Sequence, residues 1–457
     1  MKKKYMLLVI IMVIGAITGC GNGNRGSDTT SATSETQAAT TAAPSTEAVT
    51  TTSSENESSV EELEPVTVTV MSAFAPENPH GPVELAYAKA YADANSHITM
   101  DVQAIASGDI YTKIVTLASS NDMPTLFYGN GTIIATYDDM DIMQDITPYL
   151  SPGFVDGFVS GVMEQGTVSG KLALFACSLQ PLAMLYRIDR FEEKGLSIPT
   201  TWDEFLECAI ALTDPDEEQW GFSMVGINPG GVGRFKSYLW SNGLELIYHD
   251  GNAWVTDVGT PEFMKAFSFW TDLNNVYHVV PDGITDVAYV TAANYFAMEY
   301  TSMILSGGNA LGLVYDQNPA LKGKVGTFVI PGGHPGTTLT AEGYILSKDI
   351  SDAEAKAAVG YLEWFVTNDK TMEFWRLSGK LPSTTVGLEA DYLKEPDFAG
   401  FFDALKSLRS IDRFVAMPAF DSRLGDAYSQ VFSNEMTNEQ AVAALIIQVN
   451  EILEENQ

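Results

Sequence analysis

Two short runs in this chain have residue types that could do chemistry. Residues 230–237 read Gly-Gly-Val-Gly-Arg-Phe-Lys-Ser, which supplies the glycines, the lysine and the serine of a phosphate-binding loop. That motif requires Gly directly before Lys, and Phe235 stands there, so a phosphate-binding loop is excluded. The acidic run Asp138-Asp139-Met140-Asp141 offers carboxylates of the kind that chelate calcium, although most such runs are solvated loops.

Other patterns of catalysis or metal binding are absent from the sequence. It has neither a Gly-x-Ser-x-Gly nucleophile elbow nor a His-Glu-x-x-His zinc motif. Its five histidines never fall at metal-ligand spacing. We therefore expect no catalytic residue, no metal and no cofactor. A surface glycan hydrolase stays open as an alternative, because 59 acidic residues leave room for the paired carboxylates that it needs.

The composition describes a strongly acidic globular protein. The 457 residues include 59 Asp and Glu against 25 Lys and Arg, a formal net charge of −34. Nucleic-acid binding depends on basic side chains that neutralise phosphates, so nucleic acid is not expected as a partner. The net charge favours neutral or cationic ligands only weakly, since the charge of a local pocket can differ from that of the whole surface. Cys177 and Cys208 are the cysteines of the main body, and whether they pair stays open.

The elements that would position a site alternate between strands and helices. Residues 66–70 alternate as a strand, 82–95 have helical spacing and 98–104 alternate again, which is the unit of a parallel α/β sheet. Thr201 is predicted to cap a helix, because acidic residues follow it where the helix dipole favours them. The fold class is α/β. Further strands are predicted at 125–128, 172–179, 182–187, 325–330 and 344–347, and further helices at 111–120, 202–212, 260–276, 351–368 and 438–454.

The N-terminal segment has the composition of a secretory signal. Lysines at 2–4 precede an apolar run over 5–17 that is too short to span a bilayer. Ile17-Thr18-Gly19-Cys20 resembles the lipobox of bacterial lipoproteins, which implies cleavage before Cys20 and attachment of a diacylglycerol to its thiol. An ordinary cleaved signal with an incidental cysteine is the alternative.

The lipobox interpretation divides the N-terminal segment into two parts. We expect 1–19 to be a lipoprotein signal peptide, and 20–64, which is rich in Ser and Thr and has no periodicity, to be a disordered linker. The protein would then lie outside the cytoplasm, lipid-anchored to the outer face of the cell membrane.

Several stretches of the main body have the order and spacing of one known family. Pro199-Thr-Thr-Trp-Asp-Glu-Phe205 is the most specific of them. Together they resemble the bacterial extracellular solute-binding proteins of family 1, which are mostly the sugar-binding components of ABC importers. The stretches lie at 111–120, 123–127, 145–150, 185–196, 199–205, 296–303, 325–331, 341–348 and 379–382.

This resemblance implies a two-lobed periplasmic-binding-protein fold (type II-like), similar to maltose-binding protein, with a ligand cleft between the lobes. Lobe one would comprise 65–177 plus 332–382, and lobe two 178–331 plus 383–457. The chain would cross between them near 176–180, 329–332 and 380–386. Closure around a ligand by hinge motion is the expected behaviour of such a protein.

The resemblance also implies where ligand contacts should lie, namely at strand ends and loops that face the cleft. Sugars present hydroxyl groups that suit polar side chains and apolar faces that suit aromatic rings. Relatives commonly stack an aromatic ring near Gly308 and Asn309, and no ring stands there in this chain. The expected ligand-binding residues are Ser72, Phe74, Gly129, Asn130, Gln180, Arg234, Trp240, Gly308, Asn309, Glu342, Tyr344 and Arg423.

The function implied is that of an extracytoplasmic solute receptor. It would bind a sugar or oligosaccharide between its lobes and deliver it to the permease of an ABC transporter, without making or breaking a bond. We expect a monomer whose partners are the carbohydrate, the permease subunits and, through the lipid anchor, the membrane. A sensory or structural lipoprotein with a degenerate cleft is a further alternative, beside the hydrolase.

Overall fold

The strand–helix–strand unit predicted at the start of the main body is present. The computed structural model describes residues 64–73, 81–105, 109–409 and 414–457. Strand β1 (Val66–Ser72) and strand β2 (Ile98–Ala104) pair in parallel and are joined through helix α1 (Gly81–Ala94). The expectations for Cys20, the signal peptide and Phe74, and nearly all of the expected linker, lie outside the described residues.

The strands assemble into two main sheets. A six-stranded sheet has the order β15-β6-β14-β3-β1-β2, and a four-stranded sheet has the order β12-β7-β11-β8. Each sheet mixes parallel and antiparallel pairs. The remaining strands are β3 (Leu126–Asn130), β4 (Thr167–Val168), β5 (Lys171–Leu172), β6 (Leu174–Leu179), β7 (Leu182–Arg187), β8 (Trp220–Ser223), β9 (Tyr248–His249), β10 (Trp254–Val255), β11 (Thr301–Gly307), β12 (Val325–Phe328), β13 (Thr337–Thr338), β14 (Ala341–Leu346), β15 (Leu381–Pro382) and β16 (Leu408–Arg409).

Helices cover the sheets, and one of them begins directly after Thr201, where the sequence predicts a cap. Thr201 and Ser351 each form a capping box with the Glu three residues later, which satisfies backbone N–H groups at the helix start. The further helices are α2 (Ile110–Ser120), α3 (Ile134–Asp139), α4 (Val162–Gly166), α5 (Ile188–Lys194), α6 (Trp202–Ala211), α7 (Gly230–Ser241), α8 (Pro261–Asn275), α9 (Tyr289–Ala297), α10 (Asn309–Gln317), α11 (Asp352–Thr367), α12 (Met372–Ser378), α13 (Pro396–Ala404), α14 (Met417–Phe432) and α15 (Asn438–Glu455).

The apolar core runs along both sheets and uses both cysteines as small buried residues. Cys177 and Cys208 are free thiols. Two members of the acidic run are engaged with lysines, since Asp138 pairs with Lys171 and Asp141 with Lys348. Over the described ranges, no group of three or more His, Cys, Asp and Glu side chains is arranged to hold a metal ion. No helix in the described part of the chain is long and apolar enough to cross a membrane.

Candidate functional site

The ends of several strands converge where the chain passes from the six-stranded to the four-stranded sheet. β6 ends at Leu179 and β7 begins at Leu182, so only two residues connect the sheets there. Leu179 pairs with the first residue of β14 and with the first residue of β15. Leu182 pairs with Gly307, the last residue of β11. Side chains at these ends therefore lie close together although they are far apart in sequence.

Glu342 is the centre of the polar contacts on the six-stranded side. It pairs in register with Asn130, the last residue of β3. Its carboxylate forms an ion pair with the ammonium group of Lys380 and accepts a hydrogen bond of 3.2 Å from Nε2 of Gln180. Glu342 and Lys380 are only 9% and 6% exposed, so each charge has little solvent and depends on the other.

Tyr128 extends this arrangement along β3. Its hydroxyl group is hydrogen-bonded with Glu342 and with Asn130. Burial, and after it the negative charge of Glu342, raises the pKa of Tyr128 well above its ordinary value, so the phenol stays neutral. Asn130 uses its side-chain oxygen to accept hydrogen bonds from the turn that follows, including the backbone N–H of Thr132 at 3.0 Å.

Gln180 and Asn309 connect the six-stranded side of this arrangement to the four-stranded side. A Cβ atom on Gly307 would lie 3.2 Å from the side-chain oxygen of Gln180 and 3.0 Å from that of Asn309. The two amide side chains therefore flank one point, and the missing Cβ of Gly307 leaves the space that they use. Gln180 is also fixed through its backbone, whose N–H donates to the carbonyl of Thr340 at 2.8 Å.

Arg234 and Tyr289 complete the four-stranded side. The guanidinium group of Arg234 lies 4.7 Å from the centroid of the Tyr289 ring, and its Nε donates to the carbonyl of Leu305 at 2.7 Å. Ser306 donates to the Tyr289 hydroxyl at 3.3 Å, and the side chain of Asn309 lies near the same hydroxyl. Burial lowers the pKa of the Arg234 guanidinium from its ordinary value, which still leaves it charged.

These residues form one continuous polar surface on the two sheets. We call it the junction network. Its members are Tyr128, Asn130, Gln180, Glu342 and Lys380 from the six-stranded side and the crossing, and Arg234, Tyr289, Ser306 and Asn309 from the four-stranded side.

A buried carboxyl group lies beside the network. Glu84, in the first turn of α1, is 1% exposed and accepts a hydrogen bond of 2.6 Å from Ser72 and another from the hydroxyl of Tyr344. Desolvation raises the pKa of Glu84 to about 7, against the opposing effects of those hydrogen bonds and of the Lys380 charge. Ser72 and Tyr344, two expected ligand contacts, are thus buried with their hydroxyl groups directed at Glu84.

The other expected ligand contacts have different surroundings. Trp240 is 7% exposed, and Lys236 and Arg409 place their cationic groups over its ring at 5.6 and 5.2 Å from the centroid. Gly129 and Gly308 are buried, and a Cβ on either would meet neighbouring atoms, in the case of Gly308 the carbonyl of Gly379. Arg423 is exposed on α14.

The structure thus brings together five of the twelve expected residues, namely Asn130, Gln180, Arg234, Asn309 and Glu342. Sequence reasoning missed the network members Tyr128, Tyr289, Ser306 and Lys380, and also Glu84. Lys380 lies in the stretch 379–382 that the family resemblance had already marked, and Tyr128 directly precedes the expected Gly129. Lys380 and Tyr128 could therefore have been found from the sequence, whereas nothing in the local sequence marks Tyr289 or Glu84 as a site residue.

The chemistry that this arrangement allows is recognition by hydrogen bonds. The network combines amide groups, a carboxylate, phenols and two cations, which together offer both donors and acceptors over a short distance. Strand ends and the adjacent helices hold them in place. Glu84 has a pKa that would suit a general acid, but both of its oxygens already accept hydrogen bonds and the side chain is sealed from solvent. The network is therefore suited to holding a polar solute.

Comparison with known sequences gives one family. The sequence model of the family described as bacterial extracellular solute-binding protein matches residues 78–372. A binding protein of Brucella abortus (strain 2308) is 22% identical over 326 residues, which are 70% of this chain and 77% of that protein.

Solved structures give the fold. A solute-binding protein of an ABC transporter from Thermotoga lettingae TMO, bound with α-D-tagatose, matches with a TM-score of 0.74 at 19% identity and covers 86% of this chain and 100% of its own. The GacH receptor of Streptomyces glaucescens, solved unliganded and with acarbose, matches with a TM-score of 0.73 at 16% identity and covers 87% of this chain and 100% of its own. These likenesses confirm the predicted two-lobed α/β fold with its cleft between the lobes.

Proposed function

Because the chain belongs to the bacterial extracellular solute-binding proteins, we propose that it captures a sugar or oligosaccharide at the junction network and delivers it to the permease of an ABC importer. The family places it outside the cytoplasm as a solute receptor. The observation that carries the proposal is the network itself, in which Glu342, Gln180 and Asn309 bring donors and acceptors from two sheets to one point.

A sugar fits the residue types of the network. Each sugar hydroxyl both donates and accepts a hydrogen bond, so it suits amides and carboxylates that are already fixed by other contacts. Tyr128 and Tyr289 supply the aromatic rings that a sugar face requires. Relatives of this fold hold α-D-tagatose and acarbose, which supports the same ligand class here.

Binding without catalysis is part of the proposal. Hydrolysis of a glycoside uses one carboxyl group as an acid and a second as a base or nucleophile. Of the carboxyl groups near the network in the described part of the chain, Glu84 is sealed and hydrogen-bonded on both oxygens, and Glu342 is held by Lys380. Neither arrangement supports attack on a glycosidic bond.

Two lobes with the predicted boundaries are also proposed. The strands β7, β8, β11 and β12 of the four-stranded sheet all fall within 178–331. The six-stranded sheet lies in 65–177 plus 332–382, apart from the last two residues of β6. Each sheet thus falls almost entirely within one proposed lobe. This supports two lobes that meet at the junction network, where a ligand would contact both lobes.

Anchoring completes the proposed role. We infer a diacylglycerol on Cys20 and a linker over 20–64 that holds a monomeric receptor near its permease. Two acyl chains bind a membrane firmly where a single chain is marginal. Mass spectrometry of membrane-extracted protein tests this inference, and a mature N-terminus other than Cys20 would contradict it.

Calorimetry with the purified chain tests the binding role. Maltose, maltotriose, tagatose and acarbose serve as probes, and the Glu342→Gln and Asn309→Ala variants should each weaken binding by at least tenfold. The exposed Lys89, which pairs with Asp93 on α1, gives the control Lys89→Gln, for which the affinity should not change. A ligand at about 100 times its Kd adds roughly 2.7 kcal/mol to the free energy of unfolding, so thermal shifts should follow the calorimetry.

Product analysis separates the receptor from the hydrolase. The same sugars are incubated with the protein and examined for new reducing ends. Turnover of any of them would contradict the receptor role, whereas a wider sugar panel with no binding at all would favour the sensory or structural alternative.

A further inference from the structure

Arg234 is a half-buried cation in the junction network that no carboxylate of the described residues neutralises. Its contacts within the described residues are two backbone carbonyls, those of Leu305 at 2.7 Å and Gly230 at 2.9 Å, and the ring of Tyr289. No Asp or Glu oxygen of the described residues lies within 4.0 Å of the Arg234 side chain, and no Asp or Glu charge noticeably shifts the pKa of Arg234. Burying such a charge is costly unless a counter-charge accompanies it.

The other cations of this region do have counter-charges. Lys380 pairs with Glu342, and Lys236, two residues beyond Arg234 on α7, pairs with Asp421 at 2.8 Å. Arg190 also lacks a direct ion pair, but Glu299 and Asp189 lie near enough to oppose its charge. The chain has 59 carboxylates for 25 basic residues, so a shortage of acids does not explain the exception at Arg234.

Arg234 still has donors to offer. A guanidinium group carries five N–H donors. The two carbonyls take one on Nε and one on Nη1, which leaves three, including both on Nη2. Within the described residues, no hydrogen bond engages Nη2. The two carbonyl bonds and the Tyr289 ring hold the group in one orientation.

Among the described residues, the charged members of the network therefore sum to one positive charge. Lys380 neutralises Glu342, and Glu84 is a buried carboxyl group shared between two hydroxyl groups. Arg234 remains as the uncompensated charge, beside the Ser306, Tyr289 and Asn309 contacts that lead to Gln180. An anionic group bound there would supply the missing counter-charge.

On this basis we propose that the solute is a sugar that bears an anionic group, and that Arg234 binds this group while Gln180, Asn309 and Glu342 bind hydroxyl groups. The inference rests on the proposed function and names its substrate class. A carboxylate matches the planar fork of Arg in two parallel hydrogen bonds, and sulfate or phosphate esters offer the same charge with tetrahedral oxygens. The carboxylate of a uronic acid is the favoured form.

Calorimetry with matched ligands tests this. The probes are di- and trisaccharides of galacturonate, glucuronate and mannuronate, each compared with its methyl ester, which keeps the sugar and removes the charge. Sulfated and phosphorylated sugars of the same length distinguish the source of the charge. At least one acidic probe should bind tenfold or more tighter than its neutral counterpart, and added salt should reduce this preference.

Variants then assign the preference to Arg234. Arg234→Gln should abolish the difference between the acid and its ester, because it should weaken binding of the acid far more than binding of the ester. Arg234→Lys keeps the charge without the planar fork, so it should retain part of the preference for the acid over its ester. It also shows whether the loss of this preference in Arg234→Gln reflects misfolding. Arg376→Gln, at an exposed arginine on α12, is the matched control and should behave as the wild type.

The outcomes separate the two proposals. Neutral sugars that bind as well as or better than all anionic ones overturn the inference and leave the sugar receptor intact. An Arg234→Gln variant that weakens acid and ester equally also overturns it, because Arg234 would then act only as a structural or neutral contact. Binding of no sugar, acidic or neutral, overturns the proposed function and the inference together.

Discussion

Replacing Glu84 by Gln should stabilise the protein more at high pH than at low pH. The Glu84 carboxyl group is 1% exposed and is hydrogen-bonded by Ser72 and Tyr344. A Gln side chain fits the same space, accepts from the Tyr344 hydroxyl with its carbonyl and donates to the Ser72 oxygen with its amide. The substitution therefore removes the ionisable proton and leaves both hydrogen bonds possible.

The magnitude follows from the pKa of Glu84, which rises from 4.5 to about 7 on folding. Below 4.5 the carboxyl group is protonated in both states, so its stabilising contribution is complete. Between 4.5 and about 7 the unfolded chain releases the proton while the folded chain retains it, and stability falls as the pH rises. The two values differ by about 2.5, and 1.36 kcal/mol per pKa unit gives a loss of about 3 kcal/mol above pH 7.

Urea unfolding followed by tryptophan fluorescence measures the effect at about pH 5 and about pH 8. The other carboxyl groups titrate in both proteins, so they cancel in the difference between Glu84→Gln and the wild type. That difference should move in favour of the variant by about 2.5 kcal/mol between the two pH values, because part of the change is already complete at pH 5. Glu207→Gln, at an exposed carboxylate on α6, is the control for the loss of a carboxyl group outside the buried site.

Two results would refute this reasoning. A Glu84→Gln difference that stays constant with pH would mean that Glu84 titrates near its ordinary pKa in the folded protein. A difference that moves in favour of the wild type as the pH rises would mean that the folded state prefers the carboxylate, so that the Lys380 charge and the hydrogen bonds outweigh desolvation. A carbon-13 NMR titration of the Glu84 carboxyl carbon measures the pKa directly.

Three further perturbations test other parts of the structure. Gly307→Ala places a Cβ against two flexible amide side chains, so we expect ligand affinity to fall roughly tenfold, about 1.4 kcal/mol, in calorimetry with little change in Tm. Lys380→Met leaves the buried carboxylate of Glu342 unpaired and should cost about 3–5 kcal/mol in urea unfolding, and adding Glu342→Gln should recover much of this. Ser351→Ala removes the cap of α11 and should cost about 1 kcal/mol in the same measurement, whereas a Ser351→Asp variant should not.

The elements of this fold follow closely from local sequence patterns. Alternation predicted β1 and β2, and a Thr followed by acidic residues predicted the capped start of α6. The long helices α8, α11 and α15 begin and end within a residue of their predicted bounds. These features depend on neighbours in sequence, where periodicity and capping act directly.

The candidate site follows from the sequence only in part, because a strand end fixes where a residue lies and not what its side chain contacts. Asn130, Gln180 and Glu342 were expected at strand ends and meet there. Ser72 was expected on the same grounds, yet its hydroxyl group is directed at Glu84, a partner on the following helix. The first-turn position of Glu84 is one where acids are common for reasons of helix dipole alone, so nothing marked it as buried.

Pairs that are distant in sequence account for the rest. Lys380 meets Glu342 because β15 and β14 both pair with β6, and that sheet order is not readable from either segment alone. Trp240 was expected to contact ligand. The cations of Lys236 and Arg409 lie over its ring, an arrangement that depends on how α7 and β16 pack. Specific side-chain roles therefore required the tertiary structure.

If the solute binds at the junction network as proposed, its binding is linked to the arrangement of the two sheets. Glu342 belongs to the six-stranded sheet, Asn309 follows the four-stranded sheet, and Gln180 lies on the two-residue connection between them. A ligand that bonds to both Glu342 and Asn309 gains its full set of contacts only when the sheets are close, so binding favours that arrangement over any more open one. Because the ligand can shift the equilibrium only by its difference in affinity for the two arrangements, variants on either side of the crossing should weaken closure and binding together.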